Sequence, residues 1–313
     1  MVKRMIIFIS LSLLFLAGCQ SADDSQEGNK EKLEISTTIF ALEDFISKIG
    51  GEYVDVQSIY PPNADAHTYE PSSREMVDLA KKDMFIYSGV GMEPFASKAE
   101  EILKDEKVEV ATVGDNVSLR GEAEDHDHGD EGHHHDENEM GDPHVFIDPV
   151  LSIQLAENIK DLLIEQMPEH EEYFTTNFEE VKEQLEQLDQ DLEKTISEAN
   201  HPQIIISHAA YGYWEDRYGL EQISIHGLSS SQEPSQSALV DIVDKANEYN
   251  LKYVVFENNI SSKVSEIIQS EIGADSAVLR NMETISEEDL DNGEDYFSLM
   301  QKNIETLQKV LND

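Results

Sequence analysis

The chain has 313 residues, of which 39% are hydrophobic, so it is long enough for two ordinary domains with buried cores. Its 66 acidic residues outnumber the 22 basic ones and give a formal net charge of -44 at pH 7. Because such a charge repels polyanions, nucleic acid is excluded as a partner.

The first nineteen residues are typical of a secretory signal, with Lys3 and Arg4 followed by an apolar run at 5–16. Residues 16–19 end in Cys19 and resemble the lipobox of bacterial lipoproteins. We therefore expect a lipid anchor on Cys19 at the extracytoplasmic face of the cell membrane; an ordinary signal with an incidental cysteine is the alternative. Cys19 is the only cysteine, so no disulfide forms within the chain. Residues 20–32 are polar without periodicity, which predicts a flexible tether.

Residues 33–168 are predicted to form a first lobe. Runs of β-branched and aromatic residues, predicted as strands at 33–40, 54–60, 84–88 and 108–113, alternate with predicted helices at 42–49, 72–82 and 95–104. This alternation favours βα units around a mostly parallel sheet.

One segment of this lobe, residues 121–141, is rich in His, Asp and Glu and has no apolar periodicity, which predicts a loop. Imidazoles among carboxylates form a weak, multivalent binder of zinc, copper or nickel. We interpret the loop as an accessory metal collector, and a merely solvated tract is the alternative. Its histidines are His126, His128, His133, His134 and His135.

Residues 169–200 are predicted to form one long amphipathic helix, since neither Gly nor Pro interrupts them. At 1.5 Å per residue it would run roughly 45 Å and connect two lobes. A coiled-coil dimer is the alternative, although the heptad stretch is short. Apolar residues recur at steps of three and four at Phe174, Phe178, Val181, Leu185, Leu188, Leu192 and Ile196.

A second βα set covers residues 201–313, with predicted strands at 203–207, 222–226, 253–257 and 277–279. Its predicted helices are 209–218, 235–249, 262–272 and 296–311. The predicted fold is therefore α/β, with two Rossmann-like βα lobes of mostly parallel sheets joined by one long helix.

Three single histidines lie in ordered contexts: His67 within 61–72, His144 within 142–149, and His208 at the end of a predicted strand. Ligands of open α/β sheets bind beyond the carboxyl ends of the strands, and at least two of these histidines lie there. Any one of them alone is more often structural than a ligand. Taken together, the three are candidate metal ligands.

The segments around these histidines resemble the three histidine motifs of the metal-binding lipoproteins that serve zinc and manganese ABC importers. The resemblance extends from about Leu33 to the C-terminus. It includes the order of the motifs, the long connecting helix and the acidic, histidine-rich loop just before the second motif. In that family the metal lies in the cleft between two α/β lobes, with two ligands from each.

The resemblance also implies a fourth ligand, which maps onto Glu283 within 279–284. Glu257, within 255–263, matches another family motif, and we interpret it as a support for the site rather than a ligand. His208 stands where the manganese-type relatives have a carboxylate. Three imidazoles with one carboxylate suit tetrahedral zinc, so we predict Zn²⁺, with Mn²⁺ as the alternative.

The function implied by the resemblance is high-affinity capture of zinc and its delivery to an ABC permease and its ATPase, by a monomer that is not an enzyme. A manganese receptor of the same family and a zinc-dependent adhesin are the alternatives. A secreted zinc hydrolase is disfavoured because the sequence has no H-E-x-x-H motif, and because a fourth protein ligand would take the place of the catalytic water.

Overall fold

The computed structural model describes residues 32–121, 141–260 and 262–313. Within these ranges the chain forms two four-stranded parallel sheets, one before and one after a long helix. The predicted α/β class with two parallel-sheet lobes is confirmed. The predicted signal peptide, residues 20–31 of the tether and residues 122–140 of the histidine-rich loop lie outside the described residues. None of the described helices is both long and apolar enough to cross a membrane.

The first sheet has the strand order β2-β1-β3-β4, and all its pairs are parallel. Every residue of β3 is buried, as an inner strand covered on both faces requires. The predicted strand at 33–40 was too long, because Phe40 already begins the first helix. The strands are β1 (Leu33–Thr37), β2 (Val54–Ser58), β3 (Met84–Tyr87) and β4 (Glu109–Thr112).

Four helices accompany this sheet: α1 (Phe40–Gly50), α2 (Ser73–Leu79), α3 (Ala96–Leu103) and α4 (Pro149–Gln166). The sequence analysis did not predict α4, although its start carries two local signals. The Asp148 side chain accepts hydrogen bonds from the N–H groups of Val150 and Leu151, and Pro149 occupies the first helical position.

The long helix is α5 (Glu171–Ser197), with 27 residues and therefore a length of about 40 Å. It is shorter than the predicted 169–200 because a 3₁₀ turn, Pro168–His170, precedes it. All seven apolar residues predicted to share one face are buried. The helix packs on α1 and α4 and also on two helices of the second half, α6 (Gly212–Tyr218) and α10 (Tyr296–Val310), so it contacts both lobes.

The second sheet has the order β6-β5-β7-β8, again all parallel. Helix α9 was not predicted, and β8 begins two residues earlier than expected. The strands are β5 (Gln203–Ile206), β6 (Glu221–Ser224), β7 (Tyr253–Glu257) and β8 (Asp275–Leu279), and the helices are α6 (Gly212–Tyr218), α7 (Gln236–Glu248), α8 (Lys263–Ile272), α9 (Glu287–Asp291) and α10 (Tyr296–Val310).

The segment before α4 is bonded to the second half of the chain. The Tyr213 hydroxyl donates to the Asp142 carbonyl at 2.6 Å, and the Trp214 indole N–H donates to the Ile147 carbonyl at 2.9 Å. Both donors belong to α6, and Trp214 is fully buried. Helix α6 therefore fixes residues 142–147 through buried hydrogen bonds.

The segment after β8 is bonded in the opposite direction, to the first half. The N–H of Phe40, at the start of α1, donates to the Glu283 carbonyl at 2.8 Å. The Thr284 hydroxyl donates to the Ala64 carbonyl at 2.9 Å. The N–H groups of Phe40 and Ala41, in the first turn of α1, thus bond the carbonyls of Glu283 and Met282.

Candidate metal centre

Four residues that are far apart in sequence converge beyond the carboxyl ends of the strands. His67 lies in the loop after β2, His208 follows β5 by two residues, and Glu283 follows β8 by four. His144 immediately precedes a 3₁₀ turn that leads into α4. The structure therefore brings together the four side chains predicted to bind one metal ion in the cleft, at the edge where α/β sheets bind their ligands.

The four candidate ligand atoms form a compact group. The Nε2 atom of His144 lies 3.2 Å from that of His67 and 3.3 Å from that of His208. The Oε1 atom of Glu283 lies 3.5 Å from Nε2 of both His67 and His144, and 3.6 Å from Nε2 of His208. All four atoms lie within 4.8 Å of one another.

These separations match the size of a tetrahedral metal site. An ion bound at 2.0–2.1 Å holds its ligand atoms roughly 3.3–3.4 Å apart, which is the edge of a regular tetrahedron. The measured separations of 3.2 to 3.6 Å bracket that value. His144 and His208, whose Nδ1 atoms each face a carboxylate, would as neutral rings point their Nε2 lone pairs at one another, which favours a cation between them.

The site is closed on nearly every side. The side chains of His144, His208 and Glu283 have no exposed surface, whereas that of His67 is 7% exposed. A cavity of about 200 Å³ reaches His67, and its walls include Met92 and Leu228, one from each half of the chain. Of the four residues, His67 is the one that borders this route to solvent.

A carboxylate lies behind each of the two buried histidines. The Nδ1 atom of His144 is 2.7 Å from Oδ1 of Asp142, and Nδ1 of His208 is 2.5 Å from Oε2 of Glu257. Since a carboxylate accepts, Nδ1 carries the proton in each ring, and the Nε2 lone pair is left for the ion. Glu257 thus lies behind His208 and outside the four-residue group, where it also accepts from the Ser207 hydroxyl.

The two oxygens of the Glu283 carboxylate have different surroundings. Oε2 accepts a hydrogen bond from the Asn259 amide at 3.0 Å. Oε1 faces the three imidazoles, is buried and has no hydrogen-bond partner. A buried acceptor without a donor costs free energy unless a cation satisfies it, so this atom fits a metal ligand.

When no metal is bound, a proton on His144 offsets part of the negative charge of the surrounding carboxylates. Burial alone would lower the pKa of His144, but its hydrogen bond to Asp142, the approach of Glu283 Oε1 to 3.5 Å and the charges of both carboxylates outweigh it and raise the pKa to about 10. Burial alone would raise the pKa of Glu283, yet the approach of His144 and His67 to 3.5 Å and the charge of His208 hold it well below its ordinary value. A bound metal ion must therefore displace a proton from His144.

Among the residues that the structure describes, the other histidines, His170, His201 and His226, do not join the group. The ring of His226 donates from Nδ1 to the Ser207 carbonyl at 2.8 Å, so it braces the strand end that carries His208. His170 stacks on the Tyr53 ring with centroids 3.7 Å apart. Cys19 and the five predicted accessory histidines of the loop lie outside the described residues.

A family model described as zinc-uptake complex component A, periplasmic, matches residues 35–310. The chain belongs to this zinc-uptake component A family.

Curated members of the zinc-uptake component A family are similar along nearly the whole chain. The "Zinc-binding lipoprotein AdcA" of Streptococcus pneumoniae is 34% identical over an alignment of 314 positions that covers 99% of this chain and 61% of that protein. The chain thus spans about three-fifths of the length of the streptococcal relatives. The "High-affinity zinc uptake system protein ZnuA" of Bacillus subtilis is 32% identical over 97% of this chain and 96% of that protein.

A solved structure of the same kind supports the fold. The Zn(II)-bound ZnuA-like domain of Streptococcus pneumoniae AdcA aligns with a TM-score of 0.74 and 29% identity, and the alignment covers 90% of this chain and all of that one.

Three residues that contact predicted metal ligands of this chain were assigned no role from the sequence. Asp142 supports His144, and Asn259 contacts Glu283. Asn281 accepts from the Glu283 N–H at 3.2 Å. For Asp142 a local signal existed, because the side chain of an Asp often hydrogen-bonds the residue two positions later, which here is the candidate ligand His144. The contact between Asn259 and Glu283 spans 24 residues and has no local signal.

Proposed function

We propose that this chain is an extracytoplasmic receptor that captures Zn²⁺ and delivers it to an ABC-type importer. The observation that carries the proposal is the buried group of His67, His144, His208 and Glu283, whose separations suit a tetrahedral ion. The unpartnered Oε1 of Glu283 supports it further. Relatives named as a zinc-binding lipoprotein and as a zinc uptake protein agree with this function.

Zinc is favoured over manganese by the kind of ligand. Three imidazole nitrogens and one carboxylate oxygen suit a borderline ion that accepts four ligands, whereas Mn²⁺ prefers more oxygen donors. His208 supplies the third nitrogen, and the Glu257 carboxylate behind it holds its ring in place. The family model and the names of the relatives point to the same metal.

Capture rather than hydrolysis follows from the closed coordination sphere. A catalytic zinc keeps one position open for water or substrate. Here protein groups occupy all four corners, and three of them have no exposed surface. The family itself is described as a component of an uptake complex.

The rest of the proposal concerns the parts on either side of the site. We propose that acylation of Cys19 and a tether at 20–32 anchor a monomer at the outer face of the membrane, within reach of the permease and its ATPase. The folded receptor would comprise a first lobe at 33–168, a connecting segment at 169–200 that contains α5, and a second lobe at 201–313. The five loop histidines would gather zinc weakly and raise its concentration near the cavity that reaches His67.

The test is metal stoichiometry and zinc affinity of the full chain, measured by elemental analysis and by competition against a chelator. Wild type is expected to hold one tight zinc, with additional weaker equivalents. The variants His67→Ala, His144→Ala and His208→Ala are each expected to lose more affinity than the roughly 10–100-fold typical of removing a supporting residue.

The matched control is His201→Ala, because the only described hydrogen bond of this side chain is to the Gln203 carbonyl and the residue lies outside the group. It should bind zinc as wild type does. Wild-type affinity in His67→Ala, His144→Ala or His208→Ala would overturn the assignment.

A further inference from the structure

The position of the Glu283 carboxylate depends on a chain of two asparagine side chains. Asn281 accepts from the backbone N–H of Glu283 at 3.2 Å and donates from Nδ2 to Oδ1 of Asn259 at 3.1 Å. Asn259 in turn donates from Nδ2 to Oε2 of Glu283 at 3.0 Å. The hydrogen bonds therefore form a closed loop that starts and ends on Glu283.

The donor and acceptor of every hydrogen bond in this ring are determined by one group that can act only as a donor. The Glu283 backbone N–H can only donate, so Oδ1 of Asn281 accepts and its Nδ2 must be a donor. Oδ1 of Asn259 must then accept, which turns the Nδ2 of Asn259 toward the carboxylate. The Ala64 carbonyl, 3.3 Å from the same Nδ2, independently requires a donor there. Both neighbours thus exclude the flipped amide.

This arrangement leaves Glu283 a single free oxygen. Oε2 is bound by Asn259, and only Oε1 points at Nε2 of His67, His144 and His208. To bind an ion through both oxygens, the carboxylate would have to rotate and break the bond to Asn259. That rotation is unfavourable, because a hydrogen bond to a charged group contributes more than one between neutral groups.

We propose that Asn259 is a specificity-determining positioning residue, which restricts Glu283 to one-oxygen binding and so keeps the site four-coordinate. The inference rests on the proposed zinc-receptor function and refines it. Four-coordinate sites suit Zn²⁺, whereas oxygen-seeking ions such as Mn²⁺ gain from additional carboxylate oxygens. Asn259 thereby disfavours Mn²⁺ at a site that the ion could otherwise enlarge.

The experiment compares wild type with Asn259→Ala in the full chain. Zn²⁺ and Mn²⁺ affinities are measured by competition, and the coordination number is read from the visible absorption of the Co²⁺-loaded protein, which is more intense in four-coordinate than in five-coordinate sites. In Asn259→Ala we expect the zinc-to-manganese affinity ratio to fall roughly tenfold or more, as for other residues that orient a ligand. The cobalt spectrum should weaken towards that of a five-coordinate ion.

Asn258→Ala is the matched control. It is the neighbouring amide, and it donates to the Thr284 carbonyl at 3.4 Å rather than to the carboxylate. Both its affinity ratio and its cobalt spectrum should match wild type.

Asn281→Asp provides a second route to the same result if Asn259→Ala fails to fold. Aspartate keeps the acceptor for the Glu283 N–H but replaces the donor to Asn259 with an acceptor that opposes Asn259 Oδ1, so the Asn259 amide is displaced and its hydrogen bond to Glu283 weakens. This variant should also lower the affinity ratio.

The possible failures are distinguishable. A wild-type protein that binds no zinc tightly would overturn the proposed function itself. A wild-type protein with tight zinc and a four-coordinate cobalt spectrum, together with a folded Asn259→Ala or Asn281→Asp variant unchanged in both ratio and spectrum, would overturn only the role of Asn259.

Discussion

Zinc binding should release close to one proton even at pH 8.5, where ordinary histidines are already deprotonated. In the metal-free protein the carboxylates of Asp142 and Glu283 raise the pKa of His144 to about 10 despite its burial. A zinc ion needs the Nε2 lone pair of that ring, so it must displace the proton that the two carboxylates stabilise.

The magnitude follows from the pKa. A group with a pKa near 10 is about 97% protonated at pH 8.5, whereas a histidine with the ordinary pKa of about 6.5 is about 1% protonated there. At pH 7.5, removing the His144 proton costs on the order of 3 kcal/mol. Apparent zinc affinity should therefore rise roughly tenfold per pH unit from pH 7.5 to 8.5.

Isothermal calorimetry in buffers of different ionisation enthalpy gives the number of protons released. Asp142→Asn is the informative variant, since it keeps an acceptor for Nδ1–H of His144 but removes one charge. Its His144 pKa should be lower, and fewer protons should be released at pH 8.5 than in wild type. If wild type releases almost no protons at this pH, His144 is not protonated in the metal-free protein and the reasoning is refuted.

Three further outcomes are expected. His208→Asp should shift preference from Zn²⁺ towards Mn²⁺ in competition assays, because it replaces a nitrogen donor with a carboxylate; an unchanged preference would contradict the ligand argument. The raised pKa of His144 stabilises the metal-free fold fully below about pH 6.5, and this contribution is lost as pH rises towards 10. The Tm of the metal-free protein, followed by circular dichroism, should therefore fall from pH 7 to 10, while that of the zinc-loaded protein should not; equal falls would argue against it. Deleting residues 122–139 should remove weak zinc equivalents and keep the tight one, and elemental analysis showing loss of the tight zinc would contradict the proposed loop role.

Structural features that depend on residues close together in the sequence could be predicted. The buried face of α5 was predictable because its apolar residues recur at helical spacing without interruption. The position of His208 followed from its place at the end of an apolar strand. Helix α4 was missed because its apolar residues are spread around several sides, and the signals at Asp148 and Pro149 mark only its start.

Features that depend on contacts across the chain could not be predicted from residue patterns. Glu283 is one of 66 acidic residues, and nothing adjacent to it distinguishes it from the others; only the family resemblance indicated it. What distinguishes Glu283 from the other acidic residues is its environment in the fold, because it is fully buried against three imidazoles and hydrogen-bonded to Asn259. Burial of that kind appears only when β7 and β8 are side by side.

The exchange of hydrogen bonds between the two halves has a mechanical consequence. Helix α6 is hydrogen-bonded to residues 142–147 of the first half, while the start of α1 is hydrogen-bonded to Glu283 of the second. A force that separates the halves would pull on both ligand-bearing segments at once and would move candidate ligands of both halves out of the four-residue group. Neither half expressed as a separate fragment would therefore keep its ligands in the positions that they have in the whole chain.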